Sequence, residues 1–223
     1  KLILFANSIG DEGGVAIAAA LKENTSLEDL DLENNDIGAE GGKAIAAALK
    51  ENISLKTLNL RAGMFTSKIG NEGATAIAAA LKENTSLQSL NLYFNGIGDQ
   101  GAKEISAALK QNTSLTSLSL RDNNIGKEGA KEIAAALKQN TSLTEMDLST
   151  GNPEQINDAY AKMLAEAISL GGSSLQSLNV HKTSIGIAGA TALVSAIKQS
   201  TTFEELHVAD YSTKKAQTLV MLC

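Results

Sequence analysis

Apolar and polar residues alternate over one short stretch of this chain, recur at helical spacing over the next, and the pair of patterns then returns again and again. In Leu115 to Ser142, Leu118 and Leu120 share one side while Ser117, Ser119 and Arg121 share the other. That is the two-residue period of a strand with one buried face. Further on, Gly129, Glu132, Ile133, Ala136 and Leu137 fall at i, i+3, i+4, i+7 and i+8, and the equivalent set 41, 44, 45, 48 and 49 is apolar or Gly throughout. This spacing predicts a helix lying on the strand. Ile125-Gly126 marks the turn into the helix, and Asn140-Thr-Ser142 marks its exit, with Asn expected in the left-handed conformation that ends helices.

The unit is 28 residues long in 27–54, 87–114, 115–142 and 175–202, and 32 residues long in 55–86 and 143–174. A partial copy occupies 1–26, and a last strand with a short helix near Ala216 to Cys223 is expected over 203–223. One strand and one helix per unit, all strands parallel, require right-handed crossovers, and stacked units coil into a curved solenoid. The expected fold is therefore α/β, with the parallel sheet on the concave face, helices on the convex face, and one domain over 1–223. Asn7, Asn35, Asn95 and Asn123 sit where the chain leaves each strand and are expected to form an internal ladder that bonds the freed backbone groups. Lys1 begins inside a strand with no polar cap before it, so the chain is expected to be part of something longer.

The period and the form L-x-x-L-x-L-x-x-N-x-I-G are those of leucine-rich repeats. The phrase IGxEGAxxIAAALKxNTSL resembles the ribonuclease-inhibitor-like class, as in the C-terminal domains of NOD-like receptors and the Ran GTPase-activating proteins. What the resemblance implies is a scaffold that binds other proteins, as an inhibitor or adaptor, and is not an enzyme. An alternative it also implies is a GTPase activator of the Ran type, in which Arg61 or Arg121 would offset phosphate charge in the transition state.

Composition narrows the partners. The net charge is −6, and no Lys/Arg cluster appears, which argues against nucleic acid and anionic membranes. Apolar runs are too short to span a bilayer. The single cysteine, Cys223, rules out an internal disulfide framework, so an intracellular, cytoplasmic setting is expected, a translocated effector included. Triplets beginning at Asn24, Asn52, Asn84, Asn112 and Asn140 match the glycosylation acceptor pattern, but their identical placement after each helix favours a structural role. Gly38-Ala-Glu-Gly-Gly-Lys43 lacks the spacing and the following Ser/Thr of a phosphate loop. His181 and His207 fall on adjacent strands but two residues apart along them, a poor arrangement for a metal. No cofactor, metal, catalytic residue or small-molecule substrate is expected.

Variation among the copies points to the surface that recognises something. Core leucine slots barely change, whereas the slot after the third leucine reads Phe5, Glu33, Arg61, Tyr93, Arg121, Ser149, His181 and Ala209, and the next reads Ala6, Asn34, Ala62, Phe94, Asp122, Thr150, Lys182 and Asp210. Both arginines of the chain stand in the first of these slots, and Arg and Tyr are the residues that anchor interfaces. The expected partner-binding set is Arg61, Tyr93, Phe94, Arg121 and Asp122, with His181 beyond them. Acidic residues Glu28, Asp29, Asp31 and Glu33 at one end, and Glu145, Asp147, Glu204, Glu205 and Asp210 at the other, suggest a partner with a basic patch. The two long units carry their extra residues in the strand-to-helix loop, at Gly63 to Lys68 and Gly151 to Asp158. Neutral insertion is one reading. The other is extra contact area, contributed by Met64, Phe65 and Tyr160, because eight strands present only about 600 Å² against the roughly 800 Å² per partner of a standard interface.

Overall fold

The computed structural model describes residues 1–150, 157–169, 173–181 and 184–207. Within them, strands β1 (Leu2–Ile3), β2 (Asp29–Asp31), β3 (Thr57–Asn59), β4 (Ser89–Asn91), β5 (Ser117–Ser119), β6 (Glu145–Asp147), β7 (Ser177–Asn179) and β8 (Glu205–His207) form one sheet in sequence order. Every pairing is parallel, and equivalent core residues lie side by side, from Leu30 against Leu58 to Leu178 against Leu206, all leucine except Met146 in β6. Between the strands run α1 (Gly10–Glu23), α2 (Ala39–Glu51), α3 (Gly70–Leu81), α4 (Asp99–Leu109), α5 (Lys127–Leu137), α6 (Asp158–Ser169) and α7 (Ile187–Gln199). Parallel strands sit about 4.8 Å apart while packed helices need about 8–10 Å, so stacking must bend the array with the sheet inside. The chain is the α/β leucine-rich repeat solenoid that the periodicity requires. The helix expected near Ala216 to Cys223, with Cys223 itself, lies outside the described residues.

One continuous core runs between sheet and helices. Leu30, Leu58, Leu90, Leu118 and Leu178 on the strands and Ile45, Ile77, Ile105 and Ile133 on the helices are buried, and Phe203 packs against this core in the leucine slot it occupies.

Two asparagine ladders run along the core. The strand-exit ladder has the form expected: Asn95 Nδ2 donates to Leu60 O at 2.8 Å, Asn123 Nδ2 donates to Leu92 O at 2.9 Å, and Asn123 Oδ1 accepts from Asn95 N at 3.0 Å. The second ladder corrects the expectation of left-handed Asn at the helix exits. Asn24 and Asn52 have φ −83° and −78°, ordinary extended values. Their work is done by side chains. Asn112 Nδ2 donates to Leu81 O (2.7 Å) and Asn84 O (3.1 Å) in the preceding unit, while its Oδ1 accepts from Ser114 N (3.1 Å) and Leu115 N (2.8 Å). Asn52, Asn84 and Asn140 repeat the arrangement, and all four are buried.

A third coupling joins the helix N-termini. Asp11 Oδ1 accepts from Gly38 N (2.8 Å) and Gly41 N (2.7 Å) of the next unit. Asn71, Asp99 and Asp158 grip Gly98 and Gly101, Gly126 and Gly129, and Gly186 and Gly189 in the same way. A Cβ on Gly129 would stand 2.7 Å from Asp99 Oδ1 and 2.9 Å from Ala102 Cβ, which is why that slot is glycine. The acceptor position holds Ala39 before α3 and Lys127 before α6, the two helices that follow lengthened loops. Neither side chain can accept a hydrogen bond. Without a clasp, Gly70 turns to φ +62° and donates instead to Asn95 O at 3.0 Å. In α6 the glycine slot is filled by Tyr160, and Asn157 caps its own helix through Oδ1, accepting from Ala159 N (3.0 Å) and Tyr160 N (3.3 Å).

Candidate functional site

The slot after each third leucine lies at the strand exit, where side chains on the open face of the sheet stand in register from rung to rung. Tyr93, just past β4, has a guanidinium on each side: Arg61 Cζ lies 4.5 Å and Arg121 Cζ 5.1 Å from its ring centroid. A cation over an aromatic face contributes about 0.5–2 kcal/mol depending on desolvation, so the three residues stiffen one another. Phe94 meets Tyr93 edge to face, centroids 6.1 Å apart at 75°. Lys68, at the end of the first inserted loop, places Nζ 4.0 Å from the Phe94 centroid. No spacing along the chain signals this last contact, because the loop breaks the register that links equivalent slots.

Phe94 holds φ +60°. A bulky side chain in the left-handed region costs about 1–2 kcal/mol. The conformation belongs to the repeat: Ala6, Asn34 and Asp122 occupy the same slot at φ +56°, +57° and +49°, and each donates its N–H to the next unit, as Phe94 N does to Arg121 O at 3.0 Å. Phe94 is the bulky side chain among them, and the turn aims its ring at Tyr93 and Lys68.

Both arginines are committed. Arg61 Nη1 donates to Glu33 Oε1 at 2.6 Å, and Asn59 Nδ2 donates to Glu33 Oε2 and Asp31 Oδ1, both at 3.0 Å. Arg121 Nε is buried without a hydrogen bond, with Asp122 Oδ2 at 3.5 Å. Lys1 pairs with Asp29 at 2.8 Å and Lys56 with Glu28 at 3.1 Å. The negative charge gathered at this end is therefore offset in part within the chain. Toward the other end, Glu145, Asp147, Asn179 and His207 line a shallow polar groove walled by Ser117, Ser119 and Ser177.

The first inserted loop is moored at its base and open at its tip. Gly63 N donates to Thr66 Oγ1 at 2.7 Å, and Ser67 N to Asp36 Oδ1 at 3.0 Å. Met64 and Phe65 at the tip are 73% and 95% exposed. The second loop falls mostly outside the described residues. One expectation about it is corrected: Tyr160 offers nothing to a partner, being 4% exposed in the core at the start of α6. Its hydroxyl has no hydrogen-bond partner among the described residues, and burial pushes that phenol well above its ordinary pKa. His181 stands two strands beyond Arg121, separated from it by the buried Ser149, so the structure does not bring it into the cluster. His207 lies opposite Asn179 rather than His181, and among the described residues no group of three metal-ligating side chains converges. No described helix is long and apolar enough to cross a membrane.

Fold and face together define a solenoid with a stacked aromatic and cationic cluster at its inner rim. A leucine-rich repeat family model matches residues 1–18, 23–46, 83–106 and 111–134, and the chain belongs to the leucine-rich repeat family. Among solved structures it is similar to leiomodin-1 actin-binding site 2, with 32% identity over 60% of this chain and 75% of that one and a TM-score of 0.49. It also resembles the tropomodulin C-terminal domain of Caenorhabditis elegans, at 13% identity over 71% of this chain and 92% of that one, TM-score 0.54, a likeness of fold. No curated protein matches the chain.

Proposed function

We propose that this chain is a non-enzymatic recognition module of the ribonuclease-inhibitor-like subclass, binding a partner protein over the inner rim around Arg61, Tyr93, Phe94 and Arg121. Met64 and Phe65 extend that surface upward, and Asp122 extends it along the array. The observation that carries the reading is the Arg61–Tyr93–Arg121 stack, with the Phe94 ring edge to face beside it. Side chains already fixed lose little entropy on binding, and clustered Tyr and Arg are the residues that dominate interface energies. The face around them is small and polar, Ser89, Asn91, Ser117 and Ser119, so a partner can reach the rim without obstruction. An intracellular inhibitor or adaptor fits a chain with one cysteine. Where the partner is basic, Glu145 and Asp147 offer it carboxylates. A GTPase-activating role draws less support, because Arg61 and Arg121 are engaged with Glu33, Asp122 and Tyr93 and stand on strand exits, not on the mobile tip of a loop.

The test is to isolate proteins retained by the chain from the cells that express it and to titrate the isolated partner against alanine variants. Arg61→Ala, Tyr93→Ala, Phe94→Ala and Arg121→Ala include at least two that each cost about 2 kcal/mol, roughly 30-fold in affinity. Losses near zero at all four would remove the rim from the interface.

A further inference from the structure

Beyond the stack itself, an open cleft lies between the first rung and the moored loop. Phe5, 53% exposed, forms one wall, Met64 and Phe65 form the other, and Glu33, Asn34 and Arg61 make the floor. Its volume of about 510 Å³ falls within the range of sites that take small organic groups. The walls rise from units one and three, two strand spacings or roughly 10 Å apart. Aromatic rings prefer partners with centroids about 4.5–7 Å away, so a single ring seated midway would stack on both walls.

The floor selects what that ring carries. The Glu33 side chain is 19% exposed; its Oε1 accepts from Arg61 and its Oε2 from Asn59, each oxygen keeps a second acceptor site, and covering it with a purely apolar group would strip the water from those sites and return no further hydrogen bond. A cationic tip is disfavoured too, since Arg61 already lies 2.6 Å from Glu33 and a second positive charge would meet the first. What remains is a neutral aromatic with a donor at its edge. We infer that this cleft is a specificity pocket for a tyrosine or tryptophan side chain of the partner, its ring between Phe5 and Phe65 and its O–H or N–H donated to Glu33. The inference rests on the rim reading above and names the anchor residue that such a partner presents.

The pocket is testable without the partner, by titrating N-acetyl-tryptophanamide and N-acetyl-tyrosinamide into the ¹⁵N-labelled chain and following amide shifts. Saturable, millimolar shifts confined to Phe5 and residues 33–34 and 61–66 are expected. N-acetyl-leucinamide and N-acetyl-argininamide should bind at least about tenfold more weakly, because one lacks the donor and the other adds a charge. Phe65→Ala should weaken the aromatic amides by about fivefold or more, and Glu128→Ala on the outer face should not. Absent shifts, equal shifts from the leucine amide, or an unchanged response in Phe65→Ala would each overturn the pocket. Co-sedimentation with phosphatidylcholine vesicles in place of any amide response would also overturn it, in favour of an apolar tip that meets lipid. Failure here leaves the Arg61–Tyr93–Arg121 surface untouched, and failure of the alanine series leaves this titration unaffected, so the two readings fail separately.

Discussion

The two units with lengthened loops share an omission and differ in what replaces it. In both, the preceding helix lacks the acceptor that clasps the next N-terminus, Ala39 in one case and Lys127 in the other. The unit 55–86 keeps more of the couplings: Gly73 fills the glycine slot, Asn84 continues the helix-exit ladder, and Ile69 N bonds Asn95 Oδ1 at 3.2 Å, although Gly63 stands where the strand-exit ladder has asparagine. The unit 143–174 keeps few of them. Tyr160 occupies the glycine slot, and Ser174, donating to Leu143 O at 2.7 Å, makes the cross-unit bond in place of a ladder asparagine. In a solenoid each unit is stabilised mainly by its neighbours, so the first loop rises from a continuous stack, while the second rises from the least coupled described junction. That difference explains why the organised rim gathers around the first loop.

The largest expected effect comes from breaking the ladder in the regular part. Asn112→Ala orphans Leu81 O, Asn84 O, Ser114 N and Leu115 N in a buried place and should cost about 3–5 kcal/mol in denaturant unfolding. Ser174→Ala, at the weak junction, should cost about 1 kcal/mol, and equal costs at the two positions would erase the contrast. The clasp is next. Asp99→Ala removes the acceptor for Gly126 N and Gly129 N and should cost about 1–2 kcal/mol, whereas Lys127→Ala should stay within about 0.5 kcal/mol of the parent.

Tyr160→Phe removes a buried hydroxyl that lacks a partner and should raise stability by about 1 kcal/mol. A lower melting temperature in that variant would mean that the hydroxyl is bonded and that the junction is tighter than described. Smallest of all should be the stability effect of deleting 64–67, since the cost of loop closure varies slowly with length, and the same deletion should weaken partner binding clearly. The companion deletion in 151–156 tests whether the second loop shares the surface.

Much of this was legible in the sequence because repetition places equivalent residues at equal spacing. Strand pairing, the leucine core, the strand-exit ladder and the rim slots of Arg61, Tyr93 and Arg121 all follow from counting. The role of the helix-exit asparagines is not legible in this way, since turn propensity is a local property and their role is a bond to the unit before. Tyr160 was misplaced because the loop before it hides the register, yet its position after Asp158 and Ala159 is that of Gly129 after Lys127 and Glu128. Internal neutralisation of Glu33 by Arg61, and the reach of Lys68 to Phe94, depend on side-chain rotamers and an irregular loop, which no spacing reveals.

The claim that recognition centres on the rim beside the first loop is tested most directly by hydrogen exchange on the complex with the isolated partner. Protection concentrated in 61–68, 91–95 and 119–123, with little change over 143–181, is the predicted footprint. Protection confined to the outer helices, or centred on 143–181, would contradict it.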